Sequence, residues 1–182
     1  MKGKLILVCQ MLLLCSICWS QTKGSPSFTS INQAGILSGS SEDKLQLQTI
    51  NGISYRSMFA GIGVGMDYYF ARSVPVFMDL RKMLSNRKTT PFIYLDGGYS
   101  FLWQKEKELW EVDTKGGIYY GAGLGYQIQL VGKTKLELDC GYSYKRFSKE
   151  KDNMPWSSFW PHTFDTYTYS LKRISIKAGL SF

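Results

Sequence analysis

Glu137 and Asp139 stand two residues apart in a stretch that alternates apolar and polar side chains, so both project to one side. Paired carboxylates on one face are the arrangement that general acid–base hydrolysis of a glycoside uses. A second set lies further on. His162, the only histidine, has Ser157, Ser158 and Asp165 nearby, the residue types of a nucleophile, a base and an orienting acid. Gly61-x-Gly63-x-Gly65 and Gly121-x-Gly123-x-Gly125 have the look of phosphate-binding loops. Context weakens each case. Neither glycine run is followed by a helix or by Lys-Ser/Thr, which a phosphate cradle needs. The two carboxylates have Arg173 and Lys177 on the next alternating segment, so a structural salt-bridge network is the expected role. The Ser and His residues lie in a connection with no regular framework to hold them in register. No residue group has metal-ligand spacing, and neither a metal nor a cofactor is expected.

The elements that must position these residues are strands. Eight segments have strand character: Phe28–Ser38, Lys44–Ser54, Met58–Tyr69, Val74–Met83, Pro91–Trp103, Gly117–Leu130, Thr134–Phe147 and Thr168–Phe182. Five of them alternate with a period of two. In the last, Ile174, Ile176, Ala178, Leu180 and Phe182 share one face, and Ser175, Lys177, Gly179 and Ser181 the other. Tyr169 and Leu171 break that pattern, which predicts a bulge or a rim segment before Ile174. The first, second and fourth segments leave their faces unassigned, except that Asp79 and Arg81 lie on the same side. No segment after Ser20 has the apolar length of a spanning helix. Without water in the lipid core, strands span only as a closed barrel in which every backbone group finds a partner. The predicted fold is all-β: an eight-stranded antiparallel up-and-down transmembrane barrel.

If the apolar face meets lipid, the other face lines the lumen with Asp67, Asp79, Arg81, Asp96, Lys135, Glu137, Asp139, Arg173 and Lys177. An interior of this size is only wide enough to be filled by side chains. These charges must therefore neutralise one another, and Glu137 and Asp139 are expected to cluster with Arg173 and Lys177. Alternate glycines leave room for large lumen side chains such as Tyr94, Phe59 or Arg173. Connections Ser85–Thr90 and Val131–Lys133 are short, whereas Gln104–Gly116 and Ser148–Tyr167 are predicted as long outer loops. Trp103, Tyr68 and Tyr144 suit interfacial girdles, and Tyr120 and Tyr126 the two interfaces. The last loop carries Trp156, Phe159 and Trp160, a density of aromatics that suits a contact surface and equally suits packing of the rings on one another above the barrel or in the outer leaflet.

Export is expected from the other end. Lys2 and Lys4 precede the apolar run Leu5 to Cys18, and small residues end at Ser20, the layout of a cleaved signal peptide over 1–20 with the barrel domain over 21–182. Cys9, Cys15 and Cys18 would leave with it. Of the four cysteines only Cys140 remains, on the lipid face, which leaves no intrachain disulfide. The net charge falls from +8 to +6 with Lys2 and Lys4. The surplus is expected to sit in loops and the barrel lumen, the alternative being attraction to anionic lipid and lipopolysaccharide phosphates; nucleic acid does not suit an exported chain.

The Gly-x-Gly-x-Gly strands, Pro75-Val76-Phe77-Met78-Asp79-Leu80-Arg81, Phe92-x-Tyr94-x-Asp96-x-Gly98-Tyr99-Ser100 and the terminal Phe together resemble the small outer-membrane β-barrel proteins of Gram-negative bacteria, the porin-like or OmpA-type transmembrane barrel domain. The resemblance implies the cell outer membrane as location, with no peptidoglycan-binding domain after the barrel and no defined activity. It implies outer-membrane lipid, lipopolysaccharide and the barrel-assembly machinery as partners, and a monomer. It also implies that Phe182, with Leu180 and Ile176, is part of the assembly signal. The expected function is non-enzymatic, structural or surface-interacting through the outer loops. The alternatives are a lipid A-modifying barrel enzyme and a narrow pore for small solutes. A soluble ligand carrier would need an apolar lumen, against which the glycine- and charge-rich faces argue. Deleting Phe182 should lower the amount of heat-modifiable folded protein in the outer membrane; an undiminished folded band on gels removes the assembly role.

Overall fold

In the computed structural model the described residues are 25–39, 43–68, 72–85, 87–103, 111–152 and 164–182. The strands are β1 (Ser27–Ser38), β2 (Lys44–Tyr55), β3 (Met58–Asp67), β4 (Ser73–Met83), β5 (Thr89–Leu102), β6 (Glu111–Lys115), β7 (Gly117–Gln129), β8 (Lys135–Asp152) and β9 (Phe164–Ser181). β6 and β7 both pair with β8 and are broken only at Gly116, so they form one stave. Each stave pairs antiparallel with its sequence neighbour, and β9 closes the ring by pairing with both β8 and β1. This is a closed eight-stave barrel with an up-and-down order.

The faces follow the alternation. On β3, Met58, Ala60, Ile62, Val64 and Met66 are exposed on the outer wall, while Phe59 and Asp67 are buried inside. β5, β7, β8 and β9 divide in the same way, and Cys140 lies exposed on the outer wall. The faces that the sequence left open are now fixed. Ile31, Gln33 and Leu37 of β1, Gln46, Gln48 and Ile50 of β2, and Phe77, Asp79 and Arg81 of β4 point inward.

The glycines take the predicted role. A Cβ on Gly63 would enter the Phe77 ring, and one on Gly141 would meet the Tyr94 hydroxyl. At Gly61 a Cβ would stand 2.7 Å from the Phe59 ring, and at Gly39 3.0 Å from Arg173 Cγ. Small and large side chains are thus matched on the inward face, within a stave and between nearby staves, as a narrow barrel requires. Arg56 adopts a left-handed φ of 55° in the two-residue connection between β2 and β3, the geometry that closes a tight hairpin.

Two loops are shorter than the alternation suggested. Of the predicted loop Gln104–Gly116, residues 111–115 form β6. Of Ser148–Tyr167, residues 148–152 continue β8 and 164–167 begin β9. The reason is physical. Apolar alternation is imposed by lipid on one side of a strand. Where a hairpin rises above the bilayer both faces meet water, the alternation ends, and the backbone ladder continues. Tyr169 and Leu171 belong to this rim segment. The β8–β9 register runs from Lys135↔Ser181 to Asp152↔Phe164 without a shift, so no bulge lies there. Phe147 and Tyr169, opposite in register, stack with centroids 5.1 Å apart.

Pro75 leaves a local mark on the sheet. The β3–β4 ladder is continuous from Met58↔Lys82 to Val64↔Val76 and resumes only at Asp67↔Ser73. Proline has no N–H to donate, so a strand interior that contains it forgoes ladder bonds.

Candidate functional site

The lumen holds two polar clusters at different depths. The larger centres on Arg81, near the turn side of β4. Its Nε donates to Asp79 Oδ1 at 2.9 Å and its Nη2 to Asp79 Oδ2 at 2.9 Å. Nη2 also donates to Gln33 Oε1 at 3.2 Å, and Nη1 donates to Glu137 Oε2 across the barrel. Gln127 Nε2 donates to the other Glu137 oxygen at 2.8 Å, and Lys135 Nζ donates to Gln127 at 3.1 Å. Gln33 Nε2 passes the chain on to Asp139 Oδ2 at 2.7 Å. Lys177 Nζ then lies 3.4 Å from Asp139 Oδ1 and 3.8 Å from Asp96 Oδ2, ion pairs without hydrogen-bond geometry. Aromatic faces complete the packing: Arg81 lies over Phe92 and Tyr94, and Lys177 Nζ is 4.4 Å from the Tyr94 centroid.

The smaller cluster sits toward the opposite rim. Lys145 Nζ donates to Asp67 Oδ1 and Oδ2 at 2.8 and 2.6 Å and to Ser73 Oγ at 2.9 Å. Ser73 Oγ donates to Asp67 Oδ1 at 2.5 Å. Between the clusters, Phe77 and Tyr119 pack with centroids 5.4 Å apart. Five carboxylates are buried in the described lumen (Asp67, Asp79, Asp96, Glu137 and Asp139), against the cations Arg81, Lys145, Arg173 and Lys177, with half-buried Lys135 adding a fifth. The interior is close to neutral, as burial in a narrow barrel demands.

Asp67, Asp79, Arg81, Asp96, Glu137, Asp139, Arg173 and Lys177 all point inward and are buried. Their grouping differs in part from the expectation. Asp139 and Lys177 are register partners and do meet. Glu137 turns instead to Arg81, and Arg173 lies toward the outer end, where its Nη1 donates to the Leu37 carbonyl at 3.2 Å. Neighbouring staves therefore supply fewer partners than staves facing each other through the lumen. Asp79 and Asp96 are register partners on β4 and β5, yet only Asp79 has Arg81 as a close partner. The carboxylate of Asp96 accepts no hydrogen bond, and Lys177 is its ion-pair partner.

Gln33, Gln48, Gln127 and Lys145 were not singled out from the sequence. Lys145 was legible, since it follows Glu137 and Asp139 on the same side of β8. The glutamines of β1 and β2 were not, because polar residues occur on both faces of these strands. Phe182 is exposed on the outer wall with Leu180 and Ile176, and its backbone N–H and C=O pair with Ser30 at 3.0 and 3.2 Å. Trp156, Phe159 and Trp160, with Ser157, Ser158 and His162, lie outside the described residues. Among the described residues no group of His, Cys, Asp and Glu could hold a metal ion.

Three solved structures share this architecture. Neisserial surface protein A superposes with a TM-score of 0.54 at 12% identity, over 87% of this chain and 98% of that one. The outer membrane protein AlkL, determined in lipid bilayers, gives 0.56 at 12% identity over 90% and 93%. The outer membrane protein OprG from Pseudomonas aeruginosa gives 0.54 at 11% identity over 87% and 95%. No protein-family model matches the chain, and neither does any curated protein.

Breaking the Arg81 centre should be costly, because removal of one partner strands a buried charge. Arg81→Ala should lower the unfolding free energy in urea by about 3–5 kcal/mol. A loss below about 1 kcal/mol, the range of an exposed pair, would show that the lumen carries water to these groups. The closed ring of staves, its apolar outer wall and these structural neighbours together give the chain the fold of the small outer-membrane β-barrels.

Proposed function

We propose that this protein is a non-enzymatic, integral outer-membrane barrel that acts as a structural element and a surface-contact platform. The observation that carries this reading is the filled lumen. Arg81, Asp79, Glu137, Gln33 and Asp139 form a bonded chain from one wall to another, with Phe59, Phe92 and Tyr94 packed around them. A solute path would have to break these bonds. In this reading the outer connections engage partners, with Trp156, Phe159 and Trp160 as the contact residues.

Lipid and lipopolysaccharide are the immediate partners in this reading, with the assembly machinery as the partner of Phe182, Leu180 and Ile176 during biogenesis. Arg146 of β8 and Lys172 of β9 are exposed on the outer wall toward the loop end. Arg146 is opposite Ser170 and Lys172 opposite Tyr144, so the two cations are diagonal neighbours. Neither has an ion-pair partner among the described residues. Tyr144 stacks on Tyr120 at 4.6 Å and donates to Ser170 Oγ at 3.0 Å, a girdle beside Lys172 and one outward position below Arg146. Phosphates of the outer leaflet sit at this height.

Planar-bilayer recording of the refolded protein tests the filled lumen: no step-like openings are expected, and reproducible unit conductance would install the narrow-pore reading instead. The double variant Arg146→Ala/Lys172→Ala should retain less lipopolysaccharide through purification from outer membranes; equal amounts on both proteins would remove that partner.

A further inference from the structure

The outer wall carries a polar patch where lipid tails should be its only neighbours. Ser30 and Asn32 of β1 and Thr49 and Asn51 of β2 point outward, with register pairs Ser30↔Asn51 and Asn32↔Thr49. Asn32, Thr49 and Asn51 are exposed, and among the described residues their side chains make no hydrogen bond. Thr49 is six residues up its strand from Tyr55, which borders the β2–β3 hairpin. At a rise of ~3.4 Å per residue and a tilt of ~40° this is roughly 15 Å along the membrane normal. The apolar band of such barrels is about 25 Å tall, so Thr49 lies well within it. Apolar residues surround the patch: Phe28 and Ile53 below, Ala34 and Leu47 above, Leu180 and Ile62 at the sides. Along the middle of the other described staves the outward positions are apolar, as at Val76, Met78, Leu95, Leu124 and Leu138, and outward polar residues such as Lys82, Arg146 and Lys172 stand near the strand ends.

Hydrocarbon offers these amides and hydroxyls no partner, and unpaired polar groups in lipid are strongly disfavoured. We infer that the β1–β2 wall docks against the same wall of a second copy of this chain. Symmetry selects that occupant. A two-fold axis along the membrane normal returns every residue to its own depth, so the patch meets itself. Asparagine amides and threonine hydroxyls both donate and accept, and the patch has no net charge, so it is complementary to itself. The shape agrees. A hollow of about 800 Å³ opens on this wall, lined by Asn32, Ala34, Leu47, Thr49, Ala178 and Leu180 among others, where small Ala34 and Ala178 lie opposite each other. This dimer replaces the monomer expected from the sequence and goes beyond the surface-platform reading, since it uses the membrane-embedded wall and not the loops.

Disulfide trapping in native outer membranes tests it. Cys140 is itself exposed on the outer wall, so the background is Cys140→Ala. Thr49→Cys in that background should give a covalent band at twice the monomer mass on mild oxidation, and Leu124→Cys, on the far wall, should not. Adding Asn32→Leu and Asn51→Leu to Thr49→Cys should abolish the covalent dimer while the monomer stays heat-modifiable. The inference fails if Thr49→Cys forms no dimer, if both positions cross-link equally, or if the adduct has any other mass. It fails as well if the leucine substitutions leave the dimer band in place. Should those substitutions prevent folding, the contrast between positions 49 and 124 decides alone.

Discussion

Everything in this molecule depends on ring closure in a solvent that forms no hydrogen bonds. A strand edge left open in hydrocarbon would strand a row of N–H and C=O groups, so β9 must reach β1. Closure with eight staves then fixes the bore. The bore fixes what the inward face can hold, and the inward face becomes an exchange of volume: glycine where a ring from a nearby stave lies over it, a ring where glycines make room. Gly63 against Phe77 and Gly141 against Tyr94 are two instances.

The same confinement explains why the lumen charges form chains and not isolated pairs. A guanidinium at Arg81 has donors on all sides, and a narrow bore surrounds it with walls. Asp79 comes from its own strand, Glu137 from β8 and Gln33 from β1. One side chain thus ties three staves together. Such a network specifies register as well as neutralising charge, since a slip of one residue would send every member to the lipid side. Tyr119, Phe77 and Phe59 provide the apolar part of the same packing.

Much of this was legible in the sequence, and the parts that were not fail for identifiable reasons. Lipid writes the pattern: where a strand has hydrocarbon on one side only, as in β3, β5, β7, the membrane part of β8 and the end of β9, alternation gives both faces. The rim of the β8–β9 hairpin has water on both sides, and there the pattern vanishes although pairing continues to Asp152↔Phe164. β1 and β2 were opaque for a different reason. Their outward faces are polar at Asn32, Thr49 and Asn51, so inward Gln33, Gln46 and Gln48 stand out from nothing. The membership of the lumen was readable residue by residue, but its pairing was not. Arg81 meets Glu137 through the bore, and that encounter depends on shear and tilt, which no local spacing encodes.

The bond between Phe182 and Ser30 also sets a clock. The β1–β9 ladder runs from Ile31↔Ser181 to Ser38↔Ile174, contacts that span almost all of the described residues. Contacts of this separation carry the largest loop-closure cost and form slowly. A chain still being synthesised lacks β9, so it can build hairpins yet keeps two open edges. The ring therefore cannot lock before its final segment arrives.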